Sequence, residues 1–249
     1  MNTSYKDFAS IYDELIYEDI DYKKIKEFTL ELCEEYNVNK ENYLDLACGT
    51  GNVAIEIADS FTNRFLVDLS QDMLQEAAEK FRGQRLKANI VCQDMTELSL
   101  NKEFDLITCV LDSTNYILED EEIKSYLKSV KNHLREDGIF LFDINSYYKL
   151  SEILGNNIYT YNSEDVFYSW ENIFEDEIVE MNLTFFVRDG DAYRRFEEVH
   201  EERAYREDFI DQCLQETGLE VLGKYEGYSR NAVKQDSERI LWVVRKKKE

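Results

Sequence analysis

Between Tyr43 and Ile144, short apolar runs alternate with stretches whose apolar residues recur at helical spacing. The runs are Tyr43 to Leu46, Phe65 to Asp68, Asn89 to Cys92, Phe104 to Leu111 and Gly138 to Ile144. The helical stretches place Val53, Ala54, Ile57 and Ala58 on one face, then Met73, Leu74, Ala77, Ala78 and Phe81, then Ile123, Tyr126, Leu127, Val130 and Leu134. Near-continuous apolar strands separated by helices predict a parallel sheet covered on both faces. The period then changes to two. Val179, Met181, Leu183, Phe185 and Val187 alternate with Ile178, Glu180, Asn182, Thr184 and Phe186, which predicts an antiparallel strand. Asp189-Gly190 follows as a hairpin signal, and Tyr193 onward alternates again. A helix from Glu207 to Glu216, Gly218 as its C-cap, and strands over Leu219–Tyr225 and Arg239–Arg245 complete the pattern.

The expectation is an α/β, doubly wound, mostly parallel seven-stranded sheet with an inserted antiparallel β-sheet. Residues 1–155 and 206–249 form the main domain, and 156–205 form a lid over the carboxyl edge of that sheet.

Composition narrows the function. The 249 residues include 53 Asp and Glu against 29 Lys and Arg, a net charge of −24. Such a surface repels phosphate backbones, because nucleic-acid affinity rests on Lys and Arg displacing counterions. The only basic run, Arg245 to Lys248, reads as a solvated tail. No apolar run approaches the ~18 residues of a membrane span. The start, Met1 to Asp13, lacks the basic-then-apolar layout of a secretory signal. A cytoplasmic protein with a small-molecule substrate is therefore expected, its oligomeric state left open. Cys33, Cys48, Cys92, Cys109 and Cys213 are scattered, with no Cys-x-x-Cys pair, and are expected to be reduced structural thiols. Neither His133 nor His200 has a metal-ligand setting, so no metal site is expected.

The chemistry concentrates in Leu44-Asp45-Leu46-Ala47-Cys48-Gly49-Thr50-Gly51-Asn52-Val53-Ala54, a strand, a tight small-residue loop and a helix start. Such a loop lets a ligand approach the backbone at a helix amino-terminus. A dinucleotide fingerprint laid on Ala47 and Gly49 would need glycine at Asn52; instead small residues fall at 47, 49 and 51. This alternation resembles the first motif of the class I S-adenosylmethionine-dependent methyltransferases, of the small-molecule type. The resemblance continues in order through Asp143. Phe65 to Leu74 resembles the family's second strand, Gln93-Asp94-Met95 its adenine-site segment, Phe104 to Asp112 its fourth strand, and Leu134 to Leu141 its helix-turn-strand.

The resemblance implies S-adenosylmethionine as cofactor, with Asp45, Ala47, Cys48, Gly49, Gly51, Asp68, Leu69, Met73, Asp94, Met95 and Asp112 around it. Asp68, 17 residues after Gly51, would grip both ribose hydroxyls, as a strand-terminal acid at a switch point can. Asp94 would accept from the adenine amino group. Asp112 reads equally as a site residue or a loop acid. Two departures from the family pattern are Ala47 for a first glycine and Arg135-Glu136-Asp137-Gly138 for the usual proline-containing turn. The chain holds no proline, so chemistry requiring an Asn-Pro-Pro-Tyr loop is excluded.

The catalytic side is less legible. Candidates are Tyr12, on a segment resembling the family's closing helix, and His200, Arg203 and Tyr205 in the insert. Tyr12 reads equally as packing or as pocket; for the three residues of the insert a solvated strand face is the favoured reading and the pocket the alternative. A sulfonium methyl is already activated, so the protein must mainly align the acceptor and exclude water. Methyl transfer to an O or N of a small molecule is the leading expectation. A protein or tRNA methyltransferase, a non-catalytic cofactor-binding protein and an NAD-linked oxidoreductase are the alternatives.

Overall fold

The computed structural model describes residues 20–248. Helix α1 (Tyr22–Glu35) leads in, capped by Asp21, whose side chain accepts from the Lys24 amide. Then follow β1 (Asn42–Leu46), α2 (Asn52–Ile57), β2 (Asn63–Asp68), α3 (Gln71–Gly83), β3 (Asn89–Cys92), β4 (Phe104–Cys109), α4 (Asp120–His133) and β5 (Leu134–Asn145). After the insert come α5 (Glu207–Thr217), β10 (Leu219–Glu226) and β11 (Arg239–Lys246).

Seven strands form one sheet in the order β10-β11-β5-β4-β1-β2-β3. The five from β3 to β5 are parallel; β11 pairs antiparallel with β5 and with β10, so β11 alone is reversed and β10 runs in the direction of the other five. Helices α4 and α5 pack on one face with Tyr126, Leu127, Ile210 and Leu214; α1, α2 and α3 cover the other with Ile25, Leu32, Ile57 and Ala77. The order of connection reverses between β1 and β4, so a crevice opens there at the carboxyl ends of the strands, the position where open α/β sheets bind ligands.

Two details differ from the sequence reading. Leu134 is the first residue of β5 rather than the last of a helix, so α4 runs straight into the strand. Gly138 permits this: a Cβ there would lie 2.9 Å from the carbonyl oxygens of Phe104 and Asp105. Cys92 is exposed, because β3 is the edge strand and its last residue is uncovered.

The second sheet is a meander of β6 (Ile158–Asn162), β7 (Val166–Glu175), β8 (Ile178–Asp189) and β9 (Ala192–Arg203). The β8–β9 turn is Gly190-Asp191, one residue later than the sequence signal, with Gly190 at φ +63°. The β7–β8 turn uses Asp176 and Glu177, both left-handed at φ 50° and 63°, as a primed two-residue hairpin requires. The inner face of this sheet packs through Val179, Met181 and Trp170 on Leu150 and Leu154, and through Phe185 on Met73 at the start of α3.

Candidate active site

The loop after β1 owes its shape to its alternating small residues. Ala47, Gly49 and Gly51 all sit in the left-handed region, at φ 56°, 53° and 78°. The two glycines do different work. A Cβ on Gly49 would meet no atom within 4 Å, so its backbone is open to a ligand; a Cβ on Gly51 would sit 3.1 Å from the Ala77 Cβ. Gly51 thus lets α2 pack on α3 and does not border the crevice, whereas Ala47, Cys48 and Gly49 do. The Cys48 thiol is held protonated by burial, reinforced by the nearby Asp45 and Asp68 carboxylates.

Asp45 is only 2% exposed. Its Oδ1 accepts from Thr108 Oγ1 at 2.7 Å, and Thr108 Oγ1 is in turn 2.8 Å from the Tyr43 hydroxyl. Its Oδ2 is buried without a hydrogen-bond partner. Burial pushes the Asp45 carboxyl up to about 7. Asp68, at the end of β2, accepts the Gly49 amide on Oδ2 at 2.7 Å and the Ser70 amide on Oδ1 at 2.8 Å. Burial raises its pKa, and those amides oppose the rise. Ser70 caps α3 through the Met73 amide. Leu69, beside Asp68, is 69% exposed and borders the crevice. Asp94 caps the short turn Met95–Glu97, accepting both the amide and the hydroxyl of Thr96 at 2.7 Å.

Beyond β4 the chain makes a turn that sequence reasoning missed. Leu111 and Asp112 are consecutive left-handed residues, at φ 61° and 60°. Their amides both donate to the buried Asp143 carboxylate of β5, at 2.9 and 2.8 Å. Tyr228 donates its hydroxyl to Asp143, and Arg239 of β11 joins Asp143 to Asp112, the latter at 2.6 Å. An acid inside the apolar run Phe140-Leu141-Phe142-Asp143-Ile144 was the one available sequence signal. Arg239 had none.

From the insert, His200 borders the crevice, its ring edge-on to Tyr116 with centroids 6.0 Å apart. Burial lowers its pKa, which favours the neutral imidazole. Arg203 and Tyr205, the other two candidates from the insert, do not border it. Arg203 pairs with Asp120 at 2.7 Å and donates to the Leu118 carbonyl; Tyr205 is buried and donates to the Ile117 carbonyl. Strand alternation explains half of this, since Arg203 points opposite to His200 and Glu202; Tyr205 has already left the strand. His133 is a buried packing residue, accepting the Leu100 amide at 2.8 Å and facing the Ser129 carbonyl. Tyr12 lies outside the described residues.

The crevice holds a cavity of about 600 Å³. Among its described lining residues are Asp45, Asp68, Leu69, Met73, Asp94, Met95, Asp112 and His200. It offers paired acceptors for a diol, an exposed aliphatic surface for a flat ring, and a buried carboxylate oxygen still lacking a donor. S-adenosylmethionine carries a ribose diol, an adenine, an ammonium and a sulfonium, and no phosphate. The residues present fit it. Fold and site together define a class I, Rossmann-like methyltransferase that uses S-adenosylmethionine.

The similarities to known proteins agree. Residues 44–138 match the methyltransferase-domain family model. A crystal structure of an S-adenosylmethionine-dependent methyltransferase from Clostridium acetobutylicum ATCC 824 superposes with a TM-score of 0.93 at 52% identity, over 98% of this chain and 99% of that one. A protein of Geobacillus sp. (strain WCH70), provisionally named a methyltransferase, is 35% identical over 98% of this chain and 100% of its own length. A dTDP-3-amino-3,6-dideoxy-alpha-D-glucopyranose N,N-dimethyltransferase of Streptomyces fradiae is 28% identical over 49% of this chain and 47% of its own. The chain belongs to the S-adenosylmethionine-dependent methyltransferase family.

Proposed function

We propose that the protein transfers the methyl group to an O or N of a small molecule held between the crevice and the inserted sheet. The supporting observation is that His200, from β9 of the insert, borders the same cavity as Asp68 and Gly49. The volume falls in the ~300–1,000 Å³ range of small-molecule sites. Asp68 is assigned the ribose hydroxyls, Leu69 and Met95 the faces of the adenine, and Asp94 its amino group. Asp45, through Oδ2, and the backbone of residues 47–49 are assigned the methionyl end. The bound cofactor supplies an activated methyl on a positive sulfur. The protein's own tasks are to orient the acceptor in line with that methyl, to exclude water with the insert, and to accept a proton when the acceptor must lose one. His200 is the candidate for that last task. The N,N-dimethyltransferase of Streptomyces fradiae acts on a small molecule, which supports the same class of acceptor here.

Calorimetric titration of S-adenosylmethionine, S-adenosylhomocysteine and NAD is the test. Micromolar binding of the first two and none of NAD is expected. Nicotinamide binding, or no binding of the first two by folded protein, would sink the assignment. Turnover confined to proteins or tRNA would instead overturn the small-molecule acceptor.

A further inference from the structure

Resting on the methyl-transfer reading, we propose that the acceptor is an amine without phosphate or carboxylate groups, drawn in as its ammonium form and deprotonated at His200. The argument is one of charge. Six described residues lining the cavity are Asp or Glu, and none is Lys or Arg. Asp45, Asp68 and Asp94 are assigned to the cofactor. Asp72, in the first turn of α3, Asp112 and Glu122 remain, the last two in the segment that also supplies Tyr116, the ring against which His200 packs.

The guanidinium paired with the lining residue Asp112 does not reverse this sign. Arg239 lies between Asp112 and Asp143, whose two carboxylates offset its charge. Lys149 is engaged with Asn145, and Lys80 with Asn52 behind the cofactor loop. Residues 1–19 contain one basic residue, Lys6, against five acids, so by composition they supply little positive charge. Recognition of a phosphate or carboxylate relies on Arg forks, Lys or converging amides. This cavity presents carboxylates instead, which attract a cation and repel an anion. A nucleotide-linked sugar, as in the name of the Streptomyces fradiae relative, is disfavoured by the same reasoning.

The chemistry balances with the groups present. The ammonium gives one proton to the neutral imidazole of His200, freeing the nitrogen lone pair. That pair forms the new N–C bond as the C–S bond breaks, and the bond electrons stay on sulfur, leaving S-adenosylhomocysteine. The methylated nitrogen leaves as a secondary or tertiary ammonium, and His200 returns its proton to solvent.

Three adenosine-based ligands decide the matter. They share one linker in place of the transferable methyl and end in an ammonium, a hydroxyl or a carboxylate. Calorimetry against the whole chain, with S-adenosylhomocysteine as control, gives an affinity for each. The ammonium ligand is expected to bind at least about tenfold tighter than the carboxylate, with the gap narrowing in high salt and in Glu122→Gln. Glu122 is exposed at the start of α4, so that variant should keep its fold. Equal affinities, or a preference for the carboxylate, would overturn the amine assignment while leaving methyl transfer intact. Failure of S-adenosylhomocysteine itself to bind would overturn methyl transfer, and the amine assignment with it.

Discussion

Asp68 at the end of β2 accepts the backbone amide of Gly49 at 2.7 Å. The carboxylate assigned to the ribose and the loop assigned to the methionyl end are therefore one mechanical unit, built from two neighbouring parallel strands. Asp68→Ala removes the ribose acceptor and leaves the Gly49 amide unheld. A loss of roughly 10–100-fold in S-adenosylmethionine affinity is expected, as for hydrogen bonds to a charged group. Calorimetry reads it, with circular dichroism as the folding control. Unchanged affinity would remove Asp68 from the cofactor site.

The two glycines of the loop should separate. Gly51→Ala places a methyl against Ala77 and forces alanine into a left-handed backbone, so stability falls by about 1–3 kcal/mol. Gly49→Ala meets no protein atom and incurs only the backbone cost, about 1 kcal/mol. Its added methyl points into open space beside the ligand backbone contact, so cofactor affinity should fall more than stability does. Thermal melts and titrations of both variants check the ordering.

The buried carboxyls set a pH dependence opposite in sign to that of ordinary ion-paired acids. Asp45 is raised to about 7 in the fold by burial, against 3.8 for an unburied carboxyl. The folded state therefore binds the proton more tightly than the unfolded chain. Asp45's contribution is fully present below about pH 4 and is lost as pH rises toward 7. Glu202, raised to about 8 chiefly by burial and then by Asp112, extends the loss through neutral pH. In the ligand-free protein, Asp45→Asn and Glu202→Gln should each raise the melting temperature at pH 8 and not at pH 4. Each kcal/mol recovered is worth about 2–4 °C in a chain of this size. A gain independent of pH would refute the account.

Asp143 holds two consecutive left-handed residues by their amides and anchors Arg239. Asp143→Asn keeps the size of the group but removes the charge that opposes Arg239 and one of its acceptor sites. Arg239 keeps its pair with Asp112, so a destabilisation of about 1–3 kcal/mol is expected, that of weakened hydrogen bonds to a charged group. Cofactor affinity should drop as well, because Leu111 and Asp112 line the cavity. Denaturant unfolding and calorimetry measure the two effects. Full cofactor affinity in a folded Asp143→Asn protein would show that the turn after β4 does not depend on this carboxylate.

The parallel strands, the hairpin alternation in β8 and the Gly218 cap are each specified by residues within a few positions of one another, and the sequence showed them. Gly218 indeed caps α5 at φ +77°. Helix α1 went unread, and the β7–β8 turn was invisible because Asp176 and Glu177 are not residues that advertise a left-handed conformation. In the site, the left-handed alternation at 47, 49 and 51 was implicit in the choice of small residues. The directions of Arg203 and Tyr205 were not.

By itself the sequence determined what is local: the strand–loop–helix unit carrying Asp45 and Gly49, the acid at the end of β2, and the change of period that marks the insert. These depend on backbone sterics and on hydrophobic periodicity, which act over a turn of helix or a few strand residues. Only the tertiary structure decided that Arg239 lies between Asp143 and Asp112, 96 and 127 positions away. It likewise decided that Asp45 reaches Thr108 and that His200, rather than its neighbours, enters the cavity. Those pairings arise from strand order and register, which place distant residues side by side at one edge of a sheet, and no local pattern encodes which of them will meet.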